Sequence, residues 1–163
     1  MYRKGHWGVS LLLFAPVGGA LLALGYGELA FVGGAVMLWL AMLPDVDVKI
    51  PGVSHRGPTH TLAFAALVGV AFGGVGFAVG TGLGVPGQVG IAAFGFGIGA
   101  LTVLAHLLAD ALTPMGVAFL WPLSKRRFSL GLVRADSTVG NYALFALGVF
   151  ATAATAVLTL GLS

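Results

Sequence analysis

Two ionisable residues interrupt an otherwise apolar segment, 102-TVLAHLLADALTP-114, in which His106 and Asp110 lie four residues apart. Residues at positions i and i+4 share one face of a helix, so the two side chains face the same way. An unpaired aspartate in apolar surroundings costs several kcal/mol, so the pair needs a partner, a water-filled cavity or a metal ion. For this pair alone, a neutral hydrogen bond between helices is a sufficient explanation.

A second polar segment, 43-LPDVDVKIPGVSHRGPTHT-61, carries two aspartates and two histidines. Asp45 and Asp47 are two residues apart, so in an extended loop they point to opposite sides. We therefore expect one of them to be a direct ligand, while the other orients a partner or takes a second ion. Ordinary turn chemistry after Pro44 is the alternative explanation for this motif.

The end of that segment, 54-SHRGPTHT-61, combines a candidate ligand with a candidate anion-binding group. Pro58 fits the first turn of a helix, which places His60 at the helix N-terminus. The partial positive charge there disfavours a protonated imidazole, and a neutral imidazole is a good metal ligand. Arg56 has a fork suited to phosphate oxygens, and His55 is a further candidate ligand. Helix capping and a solvated loop are the alternative.

The rest of the chain predicts the helices that position these residues. Of the 163 residues, 58% are hydrophobic and 8% are charged, against about 25% charged in soluble domains. Five apolar stretches are long enough to span a bilayer, at approximately 7–25, 28–43, 61–82, 88–112 and 139–161. We predict an all-α, polytopic membrane helix bundle of about five transmembrane helices, forming one domain over residues 1–163. Glycine-rich segments at 69–80 and 94–100 predict close helix packing.

Five spans place every lysine and arginine at one end of the bundle, together with the N-terminus and the 44–60 and 113–138 loops. By the positive-inside rule this end is cytoplasmic, the C-terminus is outside, and the net charge of +3 reflects topology rather than nucleic-acid binding. All four histidines and four of the five acidic residues lie at the same end, the exception being Glu28. The rule does not explain acids or histidines, so their clustering indicates a shared site.

Seven side chains are candidate metal ligands: His6, Asp45, Asp47, His55, His60, His106 and Asp110. Neutral imidazoles and carboxylates, without any cysteine, suit Zn better than Ca or Mg, with Mn or Fe as alternatives. Seven candidates exceed one tetrahedral shell and suffice for one or two divalent ions with open positions. Such ions activate water and clamp a phosphoester.

In this order, the motifs resemble those of the YdjM-type family of inner-membrane, metal-dependent hydrolases. The resemblance covers residues 6 to about 122 and rests on His6, PDVD, HRGPTHT, and HLLAD followed by Thr113 and Gly116. Thr61 stands where serine is usual in that family. On the family's pattern, the resemblance implies four ligands besides the helical pair: His6, Asp45, His55 and His60.

The family is in turn distantly similar to zinc-dependent phospholipase C and to the fungal zinc nucleases. Those are all-helical proteins whose zinc ions are held by histidines and aspartates, including an HxxxD motif that corresponds to His106 and Asp110. This more distant resemblance implies hydrolysis of phosphoesters.

We therefore expect a metal-dependent hydrolase whose site lies at the cytoplasmic membrane surface. Metal-activated water would attack a phosphoester, with Asp45 or Asp47 as ligand or base, His60 in the site and Arg56 neutralising the phosphate. Membrane lipid is the expected partner, and a phospholipid or lipid-linked phosphate is the expected substrate, because the site lies at headgroup depth beside the basic, aromatic segment 119–128.

Two other functions remain open: a metal or proton transporter, and a membrane protein that binds metal without catalysis. A transporter needs polar groups along a path to the outer half of the membrane. There the sequence offers Glu28 as the only ionisable side chain, which argues against such a path.

Overall fold

The computed structural model describes residues 1–161, and five α-helices form the bundle. Each of these helices matches one predicted span, with ends that differ by a few residues. They are α1 (Arg3–Ala23), α2 (Gly27–Leu40), α3 (Leu62–Val79), α4 (Gly84–Ala111) and α5 (Thr138–Gly161). Short 3₁₀ helices cover Pro44–Lys49, Pro58–His60 and Gly80–Leu83. The prediction of an all-α membrane bundle is confirmed.

By length and composition, 4 helical stretches are able to cross a membrane: Arg3–Ala23, Gly27–Lys49, Leu62–Ala111 and Thr138–Gly161. The third has 50 residues and contains both α3 and α4. The 3₁₀ turn at Gly80–Leu83 reverses the chain within it, so that Gly76 lies against Ile91 and Gly99 lies against Val68. α3 and α4 thus form an antiparallel hairpin. The count of 4 stretches able to cross a membrane is close to the five spans predicted.

Glycines allow this hairpin to pack backbone against backbone. A Cβ atom on Gly76 would overlap the Ile91 carbonyl oxygen, and one on Gly95 would overlap the Phe72 carbonyl oxygen. Small residues at helix contacts in lipid have this role, as the glycine-rich segments predicted. A similar close approach joins α1 to α5, where a Cβ atom on Gly8 would overlap the backbone of α5.

Large apolar side chains cover much of the outside of the bundle. Phe31 and Trp39 on α2 are 79% and 80% exposed, and Phe150 on α5 is 69% exposed. Such exposure would be costly in water, whereas hydrocarbon is a favourable environment for these side chains. This surface is that of a helix bundle surrounded by lipid.

One end of the bundle is closed by the two long connections, residues 41–61 and 112–137. The second connection is joined to the start of α3, where Leu62 N–H donates to the Phe119 carbonyl at 3.0 Å. The second connection forms a bridge between Val117 and Phe128, and Leu130 N–H donates to the Ala111 carbonyl at 2.8 Å. The start of α1 and the end of α4 lie at this same end, where all the predicted site residues are found.

Candidate metal centre

The helix N-terminus predicted at Pro58 lies further along the chain. Pro58–His60 is a separate 3₁₀ turn, and α3 begins at Leu62. Thr61 interrupts the helix because its backbone is extended, with φ −129° and ψ 158°, and its side chain accepts a hydrogen bond from Phe64 N–H at 3.0 Å. Thr61 is therefore the N-cap, and His60 is held just before the helix rather than in its first turn.

The two aspartates of the PDVD motif lie on a 3₁₀ helix, Pro44–Lys49, rather than in an extended loop. With three residues per turn, side chains two residues apart still face different directions. Asp47 is fully buried, whereas the Asp45 side chain is 24% exposed. The two carboxylates consequently have different surroundings and different partners.

Four side chains, two imidazoles and two carboxylates, meet at the end of the bundle that the two connections close. We call them the tetrad: Asp45, His60, His106 and Asp110. One ligand atom from each lies within 4.8 Å of the others, so the group could hold a metal ion.

The distances within the tetrad are short. The Nε2 atoms of His60 and His106 are 3.2 Å apart, and Asp45 Oδ1 is 3.3 Å from each of them. Asp110 Oδ2 lies 3.4 Å from His60 Nε2 and 3.6 Å from His106 Nε2. Among the described residues Oδ2 has no hydrogen-bond partner. The predicted i, i+4 pair, His106 and Asp110, is therefore part of a larger group that also includes Asp45 and His60.

Hydrogen bonds outside the tetrad set the orientation of both imidazoles. His106 Nδ1 lies 2.7 Å from the Ala41 carbonyl oxygen. Because a carbonyl can only accept, Nδ1 donates to it, and in the neutral ring Nε2 then has its lone pair toward the tetrad. His60 Nδ1 lies 3.0 Å from Thr59 Oγ1, its hydrogen-bond partner, and 3.2 Å from Asp47 Oδ2, and these two groups hold the His60 ring. The two Nε2 atoms face each other at 3.2 Å, an arrangement that a cation between two neutral rings would stabilise.

Asp47 is surrounded by donors. Its Oδ2 accepts from Arg56 N–H at 3.1 Å and from Thr59 Oγ1–H at 2.9 Å, in addition to its contact with His60. Its Oδ1 lies 3.0 Å from His55 Nδ1. Asp47 thus has the surroundings of a residue that orients a histidine, which was one of the two roles that the sequence left open.

His55 lies outside the tetrad, and its side chain is 44% exposed. With Asp47 and His60 it forms a second group whose ligand atoms also lie within 4.8 Å of one another and could hold an ion. The tetrad consists of buried or half-buried side chains, whereas the second group includes the exposed His55, so we regard the tetrad as the better formed of the two groups.

Arg56 is buried beside the tetrad and anchors Asp110. Its Nη2 donates to Asp110 Oδ1 at 2.7 Å, while Nη1 donates to Thr113 Oγ1 at 3.2 Å and to the Gly116 carbonyl at 2.9 Å. Arg56 has a left-handed backbone with φ 59°, which is uncommon outside glycine and directs the side chain inward. With Oδ1 held by arginine, Asp110 is left with Oδ2 toward the imidazoles.

His6 reaches the tetrad from the start of α1. It is fully buried, its ring stacks on that of His106 with centroids 3.9 Å apart, and its Nε2 lies 3.9 Å from Asp110 Oδ1. Neither of its ring nitrogens has a hydrogen-bond partner within residues 1–161. A buried imidazole without partners is unusual, and it places a third imidazole ring next to the two of the tetrad.

The residues present fit a metal ion. They supply imidazole nitrogen and carboxylate oxygen, no thiolate, and outer hydrogen bonds that keep the donor atoms free. Three supporting groups were not predicted: the Ala41 carbonyl, Thr59 and the Thr113 hydroxyl. Thr59 is inside a motif and could have been considered, whereas the backbone carbonyl leaves no signal in the sequence.

A family model described as YdjM inner membrane protein matches residues 1–163, so the chain belongs to this family. No curated protein and no solved structure matches the chain. Together with the apolar helices, the family assignment identifies a multi-pass membrane protein.

Proposed function

We propose that this member of the YdjM inner membrane protein family is a metal-dependent hydrolase of phosphoesters. The observation that carries the proposal is the pair of buried Nε2 atoms of His60 and His106, 3.2 Å apart, with two carboxylates beside them. One ion would be held by the tetrad, and a second could use Asp47 and His55. Zn suits this donor set best, with Mn or Fe as alternatives.

When bound, such an ion supplies a Lewis acid that activates water and stabilises charge on a phosphoryl oxygen. Asp45 is the only tetrad member with substantial exposure, at 24% for its side chain. A water molecule or a substrate would therefore reach the centre past Asp45, which is placed to accept a proton there. Asp47 acts through its neighbour, because it orients His60, and Arg56 holds Asp110 in place.

The buried ionisable side chains of the described residues lie at one end of the bundle only, which supports a hydrolase rather than a transporter. Within residues 1–161 the buried ionisable side chains are His6, Asp47, Arg56, His60, His106 and Asp110. All of them lie at the end closed by the two connections, and no buried ionisable group continues through the bundle. A route for ions needs such groups along its length.

We place this end at the cytoplasmic face, because it carries all eight lysines and arginines. The connection between α4 and α5 supports a lipid or lipid-linked substrate. It exposes Leu123 at 93% and Leu132 at 72% beside Lys125, Arg126 and Arg127. Apolar and basic side chains in one segment suit the headgroup layer of an anionic membrane.

The test is a combined measurement of metal content and turnover on purified protein. Phosphomonoester, phosphodiester and phospholipid substrates would be screened with added Zn, Mn or Fe, using wild type and His60→Ala. The matched control is Asp136→Ala, because Asp136 is an exposed residue paired with Arg134. We expect metal-dependent turnover that His60→Ala abolishes and Asp136→Ala retains. Turnover unchanged in His60→Ala would refute the site, and full metal content without turnover on any substrate would refute the hydrolase.

A further inference from the structure

A cavity of about 280 Å³ is lined by Arg56, the residue that also bonds Asp110 of the tetrad. Lys125 and Arg127 add two further cationic residues to its lining, together with Ser54 and Trp121. No acidic residue lines it. A cavity with this lining attracts an anion and offers it several hydrogen-bond donors.

Arg56 lies at the buried side of this cavity. Its two terminal nitrogens are bonded to Asp110, Thr113 and Gly116, and Nε is buried without a hydrogen-bond partner in residues 1–161. Only 3% of the Arg56 side chain is exposed, so water contributes little to the hydration of its guanidinium. The positive charge of this guanidinium at the cavity wall favours an anion inside the cavity.

The other two cations have no acidic partner. None of the ion pairs within the described residues includes Lys125 or Arg127, whereas the exposed Arg134 is paired with Asp136. Both Lys125 and Arg127 are exposed, so the cavity opens to the surface beside them, with the buried Arg56 at its inner end. Positive charge is thus left uncompensated at an opening next to the metal centre.

We propose that this cavity is a subsite for a phosphate group of the substrate. The inference rests on the proposed hydrolase, and it adds that the substrate is anionic and is held by Arg56, Lys125 and Arg127. Arg56 links the two sites, because the guanidinium that lines the cavity also bonds Asp110 of the tetrad at 2.7 Å. A lipid headgroup and a free phosphate share the required chemistry.

The experiment measures phosphate binding without catalysis. Inorganic phosphate is titrated calorimetrically into protein in phosphatidylcholine nanodiscs, in a His60→Ala, His106→Ala background that removes the metal ligands. The test variant is Lys125→Gln, Arg127→Gln. The matched control is Arg126→Gln, since Arg126 lies between them in sequence but packs over the Phe128 ring at 5.4 Å and does not line the cavity.

We expect phosphate to bind, the double variant to weaken binding about tenfold or more, and Arg126→Gln to leave it unchanged. Adding phosphatidic acid to the nanodiscs distinguishes the two sources: competition with phosphate assigns the cavity to a lipid headgroup, and its absence assigns it to a free phosphate.

Absence of phosphate binding, or equal binding by all variants, would overturn the subsite. Because the background lacks two metal ligands, this result is independent of turnover. An inactive wild-type protein would instead refute the hydrolase and leave the phosphate titration intact.

Discussion

Replacement of Asp47 distinguishes a residue that orients a ligand from a ligand itself. In the structure Asp47 Oδ2 accepts from Arg56 N–H and Thr59 Oγ1–H and contacts His60 Nδ1 at 3.2 Å. Asp47→Asn can keep an acceptor oxygen at that position, while Asp47→Ala removes it and leaves His60 Nδ1 with Thr59 Oγ1 alone. Loss of such an outer partner lowers metal affinity roughly 10- to 100-fold, or about 1.4–2.7 kcal/mol.

We therefore expect a graded series in Zn affinity, measured by competition with a chelator of known affinity. Asp47→Asn should lie near the lower limit of that range and Asp47→Ala near the upper limit. Asp45→Ala, which removes a donor atom, should exceed both, and Asp136→Asn should match wild type. If Asp47→Asn and Asp47→Ala were equal to each other and to Asp45→Ala, Asp47 would be a direct ligand. If neither changed the affinity, its contact with His60 would have no role.

Two further substitutions test the packing that supports the centre. Gly8→Ala should lower the free energy of unfolding by about 1–3 kcal/mol, because its Cβ atom would overlap the Leu144 carbonyl on α5. Gly97→Ala on α4 has no atom within 4 Å of the new carbon and should be neutral or slightly stabilising, so equal effects in thermal unfolding would contradict the close α1–α5 contact. Arg56→Lys should lower stability by about 3 kcal/mol, because lysine cannot reproduce the fork that reaches Asp110. Lysine and arginine share the same backbone preferences, so unchanged stability would show that these hydrogen bonds contribute little.

The helices and the polar end of the bundle were predictable because each left a strong local signal. Apolar stretches of membrane-spanning length fix the helices, and helical periodicity puts His106 and Asp110 on one face. The one-sided distribution of acids and histidines indicated that separate segments meet. These signals depend only on residue type and spacing, so they do not need the tertiary structure.

The finer geometry depended on contacts that spacing does not encode. α3 begins at Leu62 rather than at Pro58, because Thr61 is extended and Leu62 N–H pairs with the Phe119 carbonyl from a distant connection. Asp45 and Asp47 also differ because of tertiary packing. Their 3₁₀ helix packs so that Asp47 is buried and Asp45 is partly exposed. A backbone acceptor such as the Ala41 carbonyl is present at every residue, so its selection by His106 is a property of the fold.

Anomalous diffraction at the Zn absorption edge, from crystals of the purified protein grown with Zn, would show whether the tetrad binds a metal ion. We expect a peak within bonding distance, about 2.0–2.1 Å, of the Nε2 atoms of His60 and His106. Carboxylate oxygens of Asp45 and Asp110 should complete the coordination. An ordered site without a peak among these four residues, or a peak bound only by Asp47 and His55, would contradict this expectation.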